Sequence, residues 1–496
     1  MRKWGPLAAV CIGAFMLLVD VTIVTVALPD MATGLETSFS SLQWVMDVYA
    51  LVLAALLLGS GSLADLIGRR RVYVLGLVVF AVASLACGLA PNAGTLIAAR
   101  GVQGLGAAAM FATTMALINS VYRGRDRGVA FGIWGAVNGA AAAAGPIIGG
   151  LLVSPFGWRA VFLVNLPVSV LAIVLALRAV PESSDPHARR VDVPGTVTFT
   201  AGAAGLTYGL IRAGELGWTA ASVVWPLAAG AVALVLFVVV EIRRPDPMLD
   251  LRLFRSSSFA ALMVASALMT FAAFAYSPFL SLWLQSVLEL SAIQAGLVFL
   301  PLSAVAFVVA GAGGRLVHEA SPRPVIGIGL LLIGAGMAGQ AVLTEDSGWA
   351  AILVGLAVVG VGVGLATPVV SSAAMAAVPV ERSGMAAGAA NSFRQLGFAL
   401  GVAVLGGVFR DGMTRSLDGE TPDPDAVAHA LTGGRAQAVI AQDPGAAPLV
   451  RGAFADGLNV TMLVAGVAGV VAGLIVLAFV RRTAPAPAPA VPARTS

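Results

Sequence analysis

The chain has 496 residues, 59% hydrophobic and 11% charged, with a mean hydropathy of +0.94 and a formal net charge of +4. A soluble domain carries roughly 25% charged residues, so the default is a protein built for lipid. The single lysine, Lys3, excludes a P-loop nucleotidase, and basic residues scattered in short clusters between apolar runs mark topology rather than a nucleic-acid surface.

From the N-terminus, Arg2 and Lys3 precede an apolar run that continues to Pro29 without a small-x-small cleavage site. It reads as a retained first membrane span. Similar runs, each matched to a ~30 Å hydrocarbon core, predict an all-α integral membrane protein. Fourteen spans are expected at 7–29, 43–64, 72–90, 94–118, 128–152, 159–178, 193–213, 222–242, 259–281, 292–313, 324–343, 349–371, 384–408 and 457–480. With both termini cytoplasmic, about 21 basic residues fall in inner segments against 6 in outer ones. Cys11 and Cys87 lie inside spans and form no disulfide or zinc pattern, and His187, His318 and His429 lie in or near loops. The outer segment 409–456 carries seven dispersed acids without EF-hand order and reads as a solvated loop, and the Pro/Ala-rich tail 483–496 as disordered.

An internal echo divides the chain. "GSLAD" (Gly61–Asp65) with Arg70 recurs as "GRLVH" (Gly314–His318) with Arg323, and "DRGVAFG" (Asp126–Gly132) resembles "ERSGMAAG" (Glu381–Gly388). Paired halves suit a secondary transporter. The expected units are a six-helix bundle over 1–180, two inserted helices with linkers over 181–258, and a second six-helix bundle over 259–482.

Four stretches carry more specific chemistry. "FMLLVDVTIVTVALP" buries Asp20 in the first span, and "LIAARGVQGLGAA" buries Arg100 in the fourth; intramembrane charges are expensive and point to function. Asp20 lies about 13 Å from the outer end of its helix and Arg100 roughly 9 Å from the outer end of its own, at 1.5 Å per residue. The loop "GSLADLIGRRRV" combines Gly61, Asp65, Gly68, Arg69 and Arg70. "GIWGAVNGAAAAAGPIIGG" presents Gly132, Gly145, Pro146, Gly149 and Gly150, small residues that let helices approach closely.

Together these stretches resemble the major facilitator superfamily, in its fourteen-span drug–proton antiporter branch. "QWVMDVYALVLAALLL", "GWRAVFLVNLP", "DPMLDLRLF" and "NSFRQLGFALGVAV" extend the likeness over nearly the whole chain. Leu66 replaces a usual basic residue, Ala141 a usual glycine, and Val19 and Thr25 depart mildly from the first-helix pattern. The resemblance implies two pseudo-symmetric bundles plus two central helices, with export of amphipathic drugs in exchange for protons by alternating access. It assigns proton coupling to Asp20 and Arg100, cytoplasmic gating to the Gly61–Arg70 loop, and antiport to the Gly-Pro-x-x-Gly-Gly helix. No cofactor beyond the proton-motive force is implied, and the expected partners are a lipophilic small molecule, protons and the cytoplasmic membrane around a monomer.

Asp47, Asn138, Asn391 and Arg394 are further candidates for substrate contact or coupling. Asp47 either serves a site or reaches the interface, and Arg394 either serves a site or fixes helix packing. Without acids well inside spans nine to fourteen, neutral or monovalent substrates fit better than dications. The rivals are an exporter of a self-made antibiotic or siderophore and, from another class, a non-transporting receptor. Against the receptor, no loop is long enough to fold an output module; against an enzyme, no catalytic polar cluster is present.

Overall fold

The computed structural model describes residues 3–184, 192–245, 247–316, 321–378 and 383–481. His187, His318 and the tail 483–496 lie outside them, as do the side chains of Gly132 and Asn138.

Every regular element described is helical. The first set is α1 (Gly5–Gly34), α2 (Phe39–Ile67), α3 (Arg69–Gly88), α4 (Ala93–Val121), α5 (Gly124–Phe156), α6 (Ala160–Leu163) and α7 (Asn165–Ala179). A hairpin follows, α8 (Val193–Leu216) and α9 (Ala221–Arg243). The last set is α10 (Ser257–Ala273), α11 (Ser277–Ser286), α12 (Ala292–Val298), α13 (Leu300–Leu316), α14 (Pro322–Gln340), α15 (Leu353–Ala376), α16 (Ser383–Leu417), α17 (Pro424–Thr432), α18 (Ala436–Gln442) and α19 (Ala447–Phe479).

Local chemistry sets the starts and breaks. Ser38, Asn92 and Asp192 cap α2, α4 and α8 by accepting backbone N–H groups. Proline cannot donate within a helix and clashes with the preceding turn. Pro278 accordingly opens α11, and Pro301 follows the 41° break between α12 and α13.

Ten helical segments among the described residues are long and apolar enough to cross a membrane, or twelve if α2 and the α12–α13 pair each count as one bent span. The difference from the expected fourteen lies in α5 and α8. The α8 helix is diluted by Thr196, Thr198, Thr200 and Thr207, whose hydroxyls lower its apolar character; in α5 the described residues cover a shorter apolar stretch, Ala144–Phe156.

Helix α1 packs on α5 and α7, α4 on α2 and α3, and α3 on α7. In the last set, α15 packs on α13 and α14, α19 on α14 and α16, and α10 on α16 and α19. The two sets meet along α2–α16, along α5 against α12 and α13, and along α1–α11; α8 leans on both α2 and α16.

The segment 409–456 departs from the solvated loop expected. Helix α16 runs on to Leu417, α19 starts at Ala447, and α17 and α18 lie between. Asp423 caps α17, accepting Ala426 N–H at 3.0 Å, and the helical spacing of Ala428, Leu431 and Thr432 buries one face. The acids mostly serve local structure: Asp443 accepts Gly445 N–H, Asp411 pairs with Arg415, and Asp456 accepts Ser416 Oγ–H.

Candidate functional site

Asp20 and Arg100 meet. Both are fully buried, and Arg100 Nη1 lies 2.6 Å from Asp20 Oδ2. Their depths along two helices, read from the sequence, bring them level, and α1 packs against α4. Two further N–H groups converge on the other carboxylate oxygen: Gln103 Nε2 at 3.0 Å and Asn165 Nδ2 at 2.8 Å. Gln103 Oε1 accepts Arg100 Nη1 at 2.7 Å, its Nε2 also donates to Ser84 Oγ at 2.8 Å, and Arg100 Nε donates to Val45 O at 3.0 Å. The Tyr49 ring lies under the guanidinium at 4.1 Å, an arrangement that stabilises a desolvated cation. One network thus ties α1, α2, α3, α4 and α7 around a carboxylate whose three donors are all N–H groups.

Sequence reasoning placed Gln103 in a motif without a role and passed over Ser84 and Asn165. Asn165 carried a readable signal, an amide in the apolar run before Pro167. Ser84 carried none, since one serine in a helix most often bonds its own backbone.

Asp47 is fully buried, and neither of its oxygens has a hydrogen-bond partner. Its neighbours on the same face of α2 show where it points. Gln43, one turn before it, donates to Val402 O of α16 at 3.0 Å, and Ala54, two turns after it, accepts from Ser392 of α16 at 2.9 Å. Asp47 therefore sits on the seam, turned away from Arg100. Asn391 and Arg394 occupy the same helix α16 and are half-buried; Arg394 O accepts Thr270 Oγ1–H at 2.6 Å. The structure does not bring them into the Asp20 network.

The two glycine motifs do different things. Gly145 faces Thr22 of α1, where an added Cβ would collide with Thr22 Oγ1, and Gly149 lies against the Ile23 backbone. Gly150 meets the backbone of Ala292 and Ile293 in α12, and Pro146 O lies against Gly296. One face of α5 grips α1 and the other grips the second set of helices. In the 61–70 loop, Gly68 has φ +114°, open to glycine because it lacks Cβ. Asp65 pairs with Arg69 at 2.7 Å, Arg70 N donates to Glu182 Oε1 at 3.0 Å, and Arg69 N donates to Ser183 O at 2.8 Å. Among the described residues these bonds stay within the first set, holding the segment after α7, and none reaches the second set, although the resemblance assigns this loop to cytoplasmic gating. Gly61 has open space beside it.

The seam is also bonded at the end that carries Pro29. Gln285 Nε2 of α11 donates to Val26 O of α1 at 3.0 Å, while within the second set Gln437 of α18 donates to Ser286 O of α11 at 3.2 Å.

A family model described as the Major Facilitator Superfamily matches residues 10–402. The chain belongs to the major facilitator superfamily. This superfamily member is 38% identical to the multidrug resistance protein Stp of Mycobacterium tuberculosis, over 84% of this chain and 79% of that one. It is 33% identical to the tetracenomycin C resistance and export protein of Streptomyces glaucescens, over 98% of this chain and 93% of that one. A bacterial homologue of the lysosomal transporter Spinster superposes with a TM-score of 0.66 at 20% identity, covering 98% of this chain and 99% of that one, which shows the shared fold. The chain is a multi-pass membrane transport protein with efflux relatives, not an enzyme.

Proposed function

We propose that this transporter exports amphipathic small molecules across the cytoplasmic membrane in exchange for protons, by alternating access. The reading takes fourteen spans, both termini cytoplasmic, and two six-helix halves (1–180 and 259–482) joined by the inserted segment 181–258. The observation that carries it is the buried Asp20 with three N–H donors from α4 and α7, in a network that ties five packed helices.

The coupling follows from hydrogen-bond inventory. An ionised carboxylate only accepts; a protonated one donates from one oxygen. Placing a proton on Asp20 therefore removes the charge that strengthens its bonds to Arg100, Gln103 and Asn165 and loosens groups on α4 and α7 relative to α1. Helix α1 also bears on α5 and α11, the elements that close the Pro29 end, so proton binding at Asp20 reaches the seam through packed helices. With that end outermost, the conformation described is closed outward. Asp20 lies inside the first bundle and Asp47 on the seam, which favours Asp20 as the proton site and the seam as the substrate path. Among the described residues of the second half, 259–482, no carboxylate is buried, so neutral or monovalent compounds fit better than dications.

The test is drug flux in proteoliposomes under an imposed pH gradient. Asp20→Asn is expected to abolish proton-driven flux while the protein still inserts and elutes as folded. Undiminished flux would sink the assignment. A second reading, export of a self-made antibiotic, draws on the likeness to the tetracenomycin C protein over nearly the whole chain. Efflux profiling with and without a protonophore, in a pump-deficient host, separates a broad drug range from one compound.

A further inference from the structure

The inserted hairpin ends on two acids that the transport reading does not use. Asp192 caps α8 and Glu241 lies in the last turn of α9, so both sit at the same end of the hairpin. They are 5% and 3% exposed. Asp192 accepts Gly195 N–H at 2.9 Å and Met248 N–H at 3.3 Å, one on each oxygen, and Glu241 Oε2 accepts Leu249 N–H at 2.9 Å. The fourth oxygen, Glu241 Oε1, has no donor. It stands with Asp192 Oδ2 over the bare face of Gly195, where an added Cβ would collide with both.

Two ionised carboxylates cannot satisfy one another, because neither carries a donor, and like charges sharing a desolvated site disfavour double ionisation. Among the described residues few charges stand by to offset them. Arg244 Nε lies 3.6 Å from Asp192 Oδ1 with its side chain 44% exposed, enough to balance one carboxylate. Of the other charged groups on the packed elements, Arg243, Arg252 and Arg255 are exposed, and Asp250 accepts Arg252 N–H in its own turn. On α2, Asp65 pairs with Arg69, and Asp47 lies toward the opposite end; on α16, Arg394 lies more than two turns beyond Met385.

We infer that Asp192 and Glu241 form a second proton-binding site, in which one proton bridges the two carboxyls and fastens the hairpin to the segment leading into α10. The proton supplies the donor that Glu241 Oε1 lacks and leaves the site with one negative charge against Arg244. The fastened segment is well chosen for a conformational role. Met248, Leu249 and Leu253 are buried, and Asp250 N–H reaches Met385 Sδ of α16 at 3.3 Å. Loss of the proton sets two charges against each other under this joint and loosens it. The site is independent of Asp20, so its test and the transport test fail separately.

Infrared spectra of the full chain in lipid nanodiscs at neutral pH test the shared proton. Glu241→Gln and Asp192→Asn each supply an amide donor in place of the proton, so both are expected to lose the same protonated-carboxyl band while Asp20 and Asp47 remain. Retention of that band in either variant overturns the bridge. Hydrogen exchange then tests the fastening. Residues 247–256 of the unsubstituted chain are expected to lose protection as pH rises, after correction for intrinsic exchange, whereas Glu241→Gln holds it. Equal pH dependence in the two proteins overturns the role of the proton in docking. The glutamine variant keeps the shape and the bond to Leu249, so a folding failure of Glu241→Ala leaves the comparison intact.

Discussion

Both halves of this transporter press helix backbones together, as where a Cβ added at Gly106 would lie 2.7 Å from Gly76 O, but among the described residues the first alone adds a buried ion pair. In the first, a buried ion pair and its amide partners join α1, α2, α3, α4 and α7. In the second, backbone meets backbone: an added Cβ at Gly336 would lie 2.8 Å from Gly355 O, one at Gly334 2.7 Å from Gly466 O, and one at Gly469 2.8 Å from Gly334 N. Helix α14 is thereby pressed onto α15 on one side and α19 on the other, through residues with nothing to ionise. A core held by hydrogen bonds to a carboxylate has two arrangements, set by one proton; a core held by close backbone contact has one. The difference suggests that the first half responds to protons and the second moves as a rigid partner.

The sharpest way to break that comparison is to strand a charge. Arg100→Ala leaves Asp20 desolvated without its counter-ion, and breaking a buried pair from one side costs about 3–5 kcal/mol. The expected outcome is a large fall in unfolding temperature in detergent, together with loss of proton-driven flux. Arg100→Ala combined with Asp20→Asn should recover part of the stability and none of the flux. Full stability in Arg100→Ala alone would mean that the first half, too, is held by packing.

Asn165→Ala probes the same network more gently. It removes one N–H donor from an ionised acceptor, an interaction worth about 1.5–3 kcal/mol. It should shift the pH dependence of flux, because the balance between proton and N–H donors at Asp20 changes. An unchanged pH profile with reduced stability would reduce Asn165 to a packing role.

Gly334→Ala is the counterpart in the second half. Its methyl group would press on Gly466 O and the Val470 backbone, and overpacking of this kind costs about 1–3 kcal/mol. Thermal unfolding should fall while the pH profile of flux in the surviving protein stays unchanged. A shifted profile would show that the second half also senses protons.

These residues differ in how legible they were. The fold class and the depth of Asp20 and Arg100 could be seen because lipid enforces apolar length, and a charge within such a run stands out. The closure of Asp20 by Gln103, Ser84 and Asn165 could not, since which helix faces which depends on bundle packing rather than on spacing. The helical character of 409–456 was hidden for a related reason. Its apolar faces are short, and acids that looked like a solvated run act as caps. The seam position of Asp47 rests on pairing between α2 and α16, hundreds of residues apart, for which no local pattern exists. The hairpin acids Asp192 and Glu241 sit at span edges, where charged residues are ordinary.

The smallest effect expected is at Tyr73, and it tests how far the polar network extends. Tyr73 OH donates to Ala9 O at 2.9 Å, joining α3 to α1 below the level of Asp20, and Gly13 leaves room for the ring's hydroxyl. Tyr73→Phe removes this bond and leaves the carbonyl of Ala9 in its helical bond, so the loss is that of one neutral hydrogen bond, about 0.5–1.5 kcal/mol. Because neither group is charged and neither touches Asp20, unfolding should shift slightly and the pH profile of flux not at all. A shift in that profile as large as that of Asn165→Ala would mean that the α1–α3 contact itself moves when Asp20 takes up its proton, and that the responsive part of the first half reaches beyond the groups bonded to the carboxylate.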